Sequence, residues 1–393
     1  MSNIVTGNVY AVGVVDWNVR NFHGNTFITK NGATYNSYLV CDKETALIDV
    51  VHKNFEEEFI NNITKITDPE KINHVILNHL EPDHSGAIEY IAKVCKNAKF
   101  YGTAKLKEGL HKYYNIDIEI NIVKTGDSIN LGETSLTFVE VPMIHWPDSM
   151  ITYCPGKKVL FSNDAFGQHV SSNKIFADEI NNGDLTKETK KYYANILWPL
   201  GSIIERKLND IIKMNLDIEI IAPSHGMIWR KEPLKIIEQY LSWAKNTTTN
   251  KAVIVYETMW GSTEKMAREI AGGLSSQGIE VKLFDIASTD FSELAYEMLD
   301  AKAFVIGSST HDNEMLAYIA GFLHFLKGMK PKNRTAIAFG SYGWGGGAVK
   351  EIAEELKSFG VEVFACLEAK FKPNKEELQK CYDTAVLFAQ KLK

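Results

Sequence analysis

The feature that most limits how this chain folds is six residues long: His79-Leu80-Glu81-Pro82-Asp83-His84, between the apolar run Val75-Ile76-Leu77 and Ser85-Gly86. A strand that continued through these residues would send neighbouring side chains to opposite faces. A loop leaving the strand's end instead turns several of them toward one point, and four of the six side chains are metal-ligand types. The run reads as a strand that ends in a metal site, against the plainer reading of a solvated polar turn. Further candidates follow, each just beyond an apolar strand-like run: His145 after Val139-Glu140-Val141-Pro142-Met143-Ile144, Asp164 after Val159-Leu160-Phe161-Ser162-Asn163, and His225 after Ile218-Glu219-Ile220-Ile221-Ala222-Pro223-Ser224. Singly, each is an ordinary strand-end cap or core histidine. Together with the first cluster they make four histidines and three carboxylates, enough for two metal ions that share one carboxylate.

The pattern His-x-Glu-x-Asp-His, then His, Asp and His after long intervals, resembles the metallo-β-lactamase fold in the variant found in flavodiiron proteins (A-type flavoproteins). Hydrolytic members of that fold usually carry histidine where Glu81 stands, and usually bind zinc. A mixed imidazole and carboxylate set without thiolate suits iron better than a zinc site built on Cys and His. The resemblance implies that His79, Glu81 and His145 hold one iron, Asp83, His84 and His225 the other, and that Asp164 bridges them. It also points to His23, in Phe22-His23-Gly24, and Tyr193, in Tyr192-Tyr193-Ala194-Asn195-Ile196-Leu197, as residues near the irons. Read from the residues alone, His23 is equally a turn histidine beside a glycine, and Tyr193 a core tyrosine.

At 393 residues the chain is long enough for two domains with sizeable cores. Its 45% hydrophobic and 23% charged residues are those of a soluble globular protein, and a formal charge of −6 leaves no basic footprint for nucleic acid. Met1-Ser2-Asn3-Ile4-Val5-Thr6 has no basic segment leading into an apolar stretch, and no run of about 18 apolar residues occurs anywhere, so the reading is cytoplasmic, with no membrane partner. The five cysteines form no C-x-x-C pair and read as reduced core thiols, which also excludes a built-in rubredoxin or zinc-ribbon module. Residues 1–248 read as an αββα sandwich. Short strand-like runs such as Val9-Tyr10-Ala11-Val12 and Ala46-Leu47-Ile48 open it. Two amphipathic helices, marked by Phe55, Phe59, Ile60 and Ile63 and by Ala87, Ile88, Ile91, Ala92 and Cys95, bracket the metal loop. A helical region around 190–214 is broken at Pro199.

The polar run Asn246-Thr247-Thr248-Thr249-Asn250 marks a boundary. Beyond it, residues 252–393 alternate helices with strand-like runs at 252–256, 281–286, 304–306, 335–339 and 361–367, which predicts a doubly wound parallel α/β sheet. The first strand leads into Glu257-Thr258-Met259-Trp260-Gly261-Ser262-Thr263. A phosphate there meets free backbone N–H groups, the positive end of a helix dipole and hydroxyls; the plainer alternative is a helix cap. The turn has neither the lysine of a Walker loop nor the G-x-G-x-x-G fingerprint, and is similar to the phosphate loop of flavodoxins. Two later loops also follow strands, Gly307-Ser308-Ser309-Thr310-His311-Asp312-Asn313 and Gly340-Ser341-Tyr342-Gly343-Trp344-Gly345-Gly346-Gly347, where ligands of such sheets bind. The resemblance implies FMN held by Thr258–Thr263, Ser309–Asn313 and Ser341–Gly345, with Trp260, Tyr342 or Trp344 against its ring.

The family resemblance implies an enzyme that reduces O2 to water, or NO to N2O, at two irons, with electrons relayed through FMN. With no further carrier domain expected, the electrons come from an external donor, rubredoxin or a reduced deazaflavin. A head-to-tail homodimer, or a dimer of dimers, is the expected assembly. The sequence does not choose between the two gases. A zinc-dependent hydrolase fused to a flavodoxin-like module is the alternative, and zinc without redox-active iron would mark it. A flavin electron carrier with a vestigial first domain would show no metal at all.

Overall fold

The computed structural model describes residues 3–393, so the first two residues of the N-terminal stretch lie outside the description. The chain forms two compact units, Met1–Tyr192 with Ser202–Leu241, and Tyr193–Gly201 with Ser242–Lys393.

In the first unit two sheets lie face to face. The seven-stranded sheet runs in the order Ile4–Thr6, Val9–Ala11, Tyr38–Cys41, Thr45–Ile48, Ile72–Ile76, Lys99–Gly102, Ile120–Ile122. The five-stranded one runs Ser128–Asn130, Ser135–Glu140, Met150–Cys154, Val159–Asn163, Ile220–Pro223. Alternation along the strands explains why both faces of the larger sheet are covered. Val40, Ala46, Ile48 and Ile76 point between the sheets and meet Phe138, Met150 and Phe161. Their neighbours Leu39, Leu47 and Val75 point the other way, into a second cluster with Phe59 and Ile63 of the Glu56–Thr64 helix, Ile88 and Ile91 of Ile88–Val94, and Leu106 and Leu110 of Ala104–Tyr114. Strands buried on both sides read as unbroken apolar runs, as these do. The helical region around 190–214 is more divided than its sequence showed. It consists of the Asn182–Tyr192 helix, a π-helical turn Tyr193–Leu197, a 3-10 turn Trp198–Leu200 holding Pro199, and the Gly201–Lys213 helix.

The second unit is a parallel sheet ordered Glu280–Asp285, Thr249–Glu257, Ala301–His311, Thr335–Tyr342, Glu362–Lys370. In chain order that is 2-1-3-4-5, the flavodoxin-like arrangement. The first strand starts at Thr249, inside the polar run read as the boundary. The Ser262–Ser276 helix sets Met266, Ile270 and Leu274 against Ala252 and Ile254, and Lys375–Leu392 adds Ala385 and Phe388 to the same core. Among the described residues no helix is long and apolar enough to cross a membrane. All five cysteines are free thiols.

Candidate metal centre and flavin pocket

Residues 77–81 leave the Ile72–Ile76 strand in irregular backbone, and Pro82 then opens a one-turn helix, Pro82–Ser85. Proline suits that first position because its missing N–H has no partner there anyway. His145 lies between Ser135–Glu140 and Met150–Cys154, Asp164 directly after Val159–Asn163, and His225 just past Ile220–Pro223. Four strands thus deliver their carboxyl ends to one point.

Asp164 stands at the centre. Its Oδ2 lies 3.1 Å from His145 Nε2 and 3.4 Å from His79 Nε2, while its Oδ1 lies 2.9 Å from His84 Nε2 and 3.7 Å from His225 Nε2. Glu81 Oε2 joins the first group, 3.1 Å from His145 Nε2 and 3.3 Å from His79 Nε2. Asp83 Oδ2 joins the second, 3.1 Å from His225 Nε2 and 3.4 Å from His84 Nε2. The seven predicted residues therefore fall into two clusters, His79, Glu81, His145 and Asp164, and Asp83, His84 and His225. Both carboxylate oxygens of Asp164, Oδ1 of Asp83 and Nε2 of His84 are buried without an aligned hydrogen-bond partner. Buried polar atoms left this way are costly unless something else satisfies them. Imidazole nitrogens and carboxylate oxygens that converge out of hydrogen-bond alignment fit cations, so the donor set accommodates two metal ions.

A second ring of contacts orients these side chains. His79 Nδ1 is 3.2 Å from Asp148 Oδ2, which also accepts from Leu80 N at 2.7 Å. His225 Nδ1 donates to the Thr34 carbonyl at 2.6 Å. His23 Nε2 lies 3.1 Å from Glu81 Oε1, the carboxylate oxygen that faces away from the cluster. Asp148 and Thr34 were invisible in the sequence, since nothing local relates them to the histidines they hold. Of the tyrosine pair, it is Tyr192 that stands at the site, with its ring 5.1 Å from His169 and 6.0 Å from His225. Tyr193, the residue expected there, is grouped with the second unit, its ring 5.1 Å from Trp243. Adjacent helical side chains diverge by about 100°, so only one of the two can face the site. His169 completes an aromatic wall, stacked 4.2 Å from Phe22 and tilted against Phe27 at 4.8 Å.

In the second unit, the three predicted loops enclose a cavity of about 730 Å³. Met259, Trp260, Ser262, Ser309–Asn313 and Ser341–Gly345 line it. Thr258, Gly261 and Thr263 shape its floor instead. Thr258 Oγ1 accepts from Gly261 N at 3.1 Å, Gly261 takes φ 77°, and the buried Thr263 hydroxyl lies 3.0 Å from Ser309 Oγ and 2.9 Å from Ser341 Oγ. One hydroxyl thereby ties all three loops together. Trp260 and Trp344 are each 92% exposed at the rim. Lys265, Phe371 and Lys372 also line the cavity and were missed. Lys265 carried a legible signal, because three residues beyond Ser262 is the same helix face.

Residues 33–226 match the model described as "ODP family beta lactamase", and residues 254–384 match "Flavodoxin". The chain is 47% identical over 382 residues to a nitric oxide reductase of Moorella thermoacetica, covering 96% of each. It is 39% identical over 385 residues to the anaerobic nitric oxide reductase flavorubredoxin of Escherichia coli O1:K1, covering 97% of this chain and 80% of that one. Among solved structures, the flavodiiron protein from Giardia intestinalis superposes with a TM-score of 0.95 at 33% identity, covering 100% of this chain and 97% of that one. The chain belongs to the flavodiiron protein family. Rubredoxin oxygen:oxidoreductase from Desulfovibrio gigas also superposes on this flavodiiron protein, with a TM-score of 0.97 at 34% identity over 100% of this chain and 98% of that one. It is therefore an oxidoreductase with a metallo-β-lactamase-like first domain and a flavodoxin second domain.

In the metal-free flavodiiron chain the acids hold protons on the imidazoles. Burial works against the charge on His84, but Asp83 and Asp164 outweigh it and raise its pKa to about 9. His145 reaches about 9 in the same way, burial being overcome by Asp164 and Glu81. A folded-state pKa above the unfolded value near 6.5 contributes stability that is complete below about pH 6.5 and is lost as pH rises through about 9. Metal affinity runs the opposite way, because ligation needs neutral imidazole and releases those protons. Metal-free protein should thus melt lower at pH 9.5 than at pH 6.5, while iron(II) affinity rises across the same range. Thermal melts and proton release on metal addition check both signs.

The orienting contacts carry a second expectation. Asp148→Ala frees the His79 ring and should weaken metal retention or activity about 10- to 100-fold, the usual effect of removing a ligand's hydrogen-bond partner. Competition with a chelator measures it.

Proposed function

We propose that this protein reduces a small diatomic gas, O2 to water or NO to N2O, at two irons, with electrons passed through FMN from an external rubredoxin-type carrier. The observation that carries this reading is Asp164, one oxygen on each of two histidine and carboxylate clusters. His79, Glu81 and His145 would hold one iron, Asp83, His84 and His225 the other. The 257–263, 309–313 and 341–345 loops would hold FMN. When bound, the irons and flavin supply the electrons and the open coordination positions for the gas.

The chain's own residues set the surroundings. Asp148, the Thr34 carbonyl and His23 fix the orientation of His79, His225 and Glu81. Phe22, Phe27 and the Tyr192 ring give the His225 side an apolar wall that excludes water and admits an uncharged gas. Burial, with Asp164 near, holds the Tyr192 phenol pKa well above its ordinary value. Its Oη therefore keeps a proton. Burial, with His225 beside it, keeps His169 neutral.

The names of the relatives divide between the two gases, which matches a site whose ligand set suits either. Iron- and FMN-loaded protein with reduced rubredoxin, given O2 and NO in separate assays from an anaerobic start, decides between them. Faster O2 loss with water as product assigns an oxygen reductase, and faster NO loss to N2O an NO reductase. Zinc in place of iron, with neither gas consumed, would overturn the reading.

A further inference from the structure

We propose that Trp146 and Tyr113 form a relay that lets an oxidising equivalent escape from the metal centre to solvent when an O2 turnover runs short of electrons. The proposal rests on the reading of the seven residues as an iron site. The Trp146 indole meets the His79 ring edge-on at 5.1 Å between centroids, and Tyr113 follows at 6.4 Å from Trp146 with rings inclined by 33°. Tyr113 is 53% exposed on the Ala104–Tyr114 helix. Indole and phenol are among the most easily oxidised side chains, and electron transfer falls off steeply with distance. Two short steps between such rings outpace one long step to the surface.

The proton decides which aromatic residue ends the path. A phenol gives up an electron readily only if its proton leaves too. Tyr35, 6.0 Å from His225, is buried, and its hydroxyl proton passes to Asp16 Oδ2, 3.4 Å away, and not directly to water. Tyr192 is buried as well. Of the two rings that lead away from His79, Trp146 is half-buried and Tyr113 is the one most open to water, where its proton can leave. The balance is direct. Reducing O2 to two waters takes four electrons and four protons. Where the site holds only three electrons, the Tyr113 phenol supplies the fourth, becoming a neutral phenoxyl radical, and its proton goes to water. The external carrier later returns one electron and solvent one proton. The ligand histidines and Glu81 are thereby spared oxidation.

The test mixes iron- and FMN-loaded protein, reduced by three electrons per chain, with O2, and follows it by freeze-quench electron paramagnetic resonance. A tyrosyl signal that narrows on ring-deuteration of tyrosine is expected. Tyr113→Phe should lose it, and Trp146→Phe should lose it although Tyr113 is intact. With donor in excess, Tyr113→Phe should consume O2 at the unchanged rate, while under electron shortage mass spectrometry should find more oxidation on the peptides carrying His79 and His145. Consumption of O2 with no tyrosyl signal in the unaltered protein, or a signal that persists in Tyr113→Phe, overturns the relay alone. Failure to take up iron overturns the relay and the metal-site reading together.

Discussion

Replacing Asp164 by alanine should strip metal from both halves of the site and abolish gas reduction, while the protein keeps its FMN. Among the described residues no other side chain places one oxygen against each cluster, so no other single truncation among them removes a ligand from both. Removal also leaves His84 and His145 with Asp83 and Glu81 as their remaining carboxylate neighbours, in a pocket where burial penalises charge. Loss of a group on which a whole catalytic unit depends costs at least about 10³-fold in rate. Metal analysis, flavin absorbance and gas consumption on one preparation measure the three consequences separately. Retention of both irons in this variant would show that Asp164 is not the shared ligand. Glu81→Ala, which touches only the first cluster, should by comparison lower iron content and gas reduction and leave FMN in place.

The second large effect is the converse. Gly347 precedes the Ala348–Ser358 helix, and a Cβ built on it would fall 1.8 Å from the Asn313 carbonyl oxygen. That atom is backbone and cannot swing aside. Asp312 and Asn313 already sit at φ 51° and 66°, a left-handed turn that Asp and Asn tolerate better than other residues. Gly347→Ala must therefore push the 312–313 turn out of the cavity that it lines. Overpacking of this kind costs about 1–3 kcal/mol, which corresponds to FMN binding weaker by about 5- to 150-fold. Fluorescence titration of flavin-free protein gives that ratio, and iron content should stay at the level of the unaltered chain. The two variants separate the cofactors: one loses metal and keeps flavin, the other loses flavin and keeps metal.

Much of this was readable from one dimension. The ligand types cluster after strand ends, and burial on both faces makes the strands of both domains near-continuous apolar runs, so strand positions and ligand candidates emerge together. Each of the five strand-like runs between residues 252 and 367 became a strand of the second unit's sheet. The three loops expected around the flavin lie at the carboxyl ends of neighbouring strands because a 2-1-3-4-5 parallel sheet brings those ends side by side.

What the sequence by itself determined, then, was the chemistry available and the elements that carry it: four histidines, three carboxylates and three hydroxyl- or glycine-rich loops, each attached to a strand. Tertiary structure decided the rest, because it depends on contacts between residues far apart in the chain. Asp148 holds His79 from 69 positions away, Thr34 holds His225 from 191, and His23 reaches Glu81 across 58. It also chose Tyr192 over Tyr193, since a helical pair points two ways and only the packing says which way the site lies. Lastly it put one oxygen of Asp164 on each side. A sequence can name a carboxylate as a candidate bridge, but a bridge is a position between two clusters, and position exists only once the strands have folded.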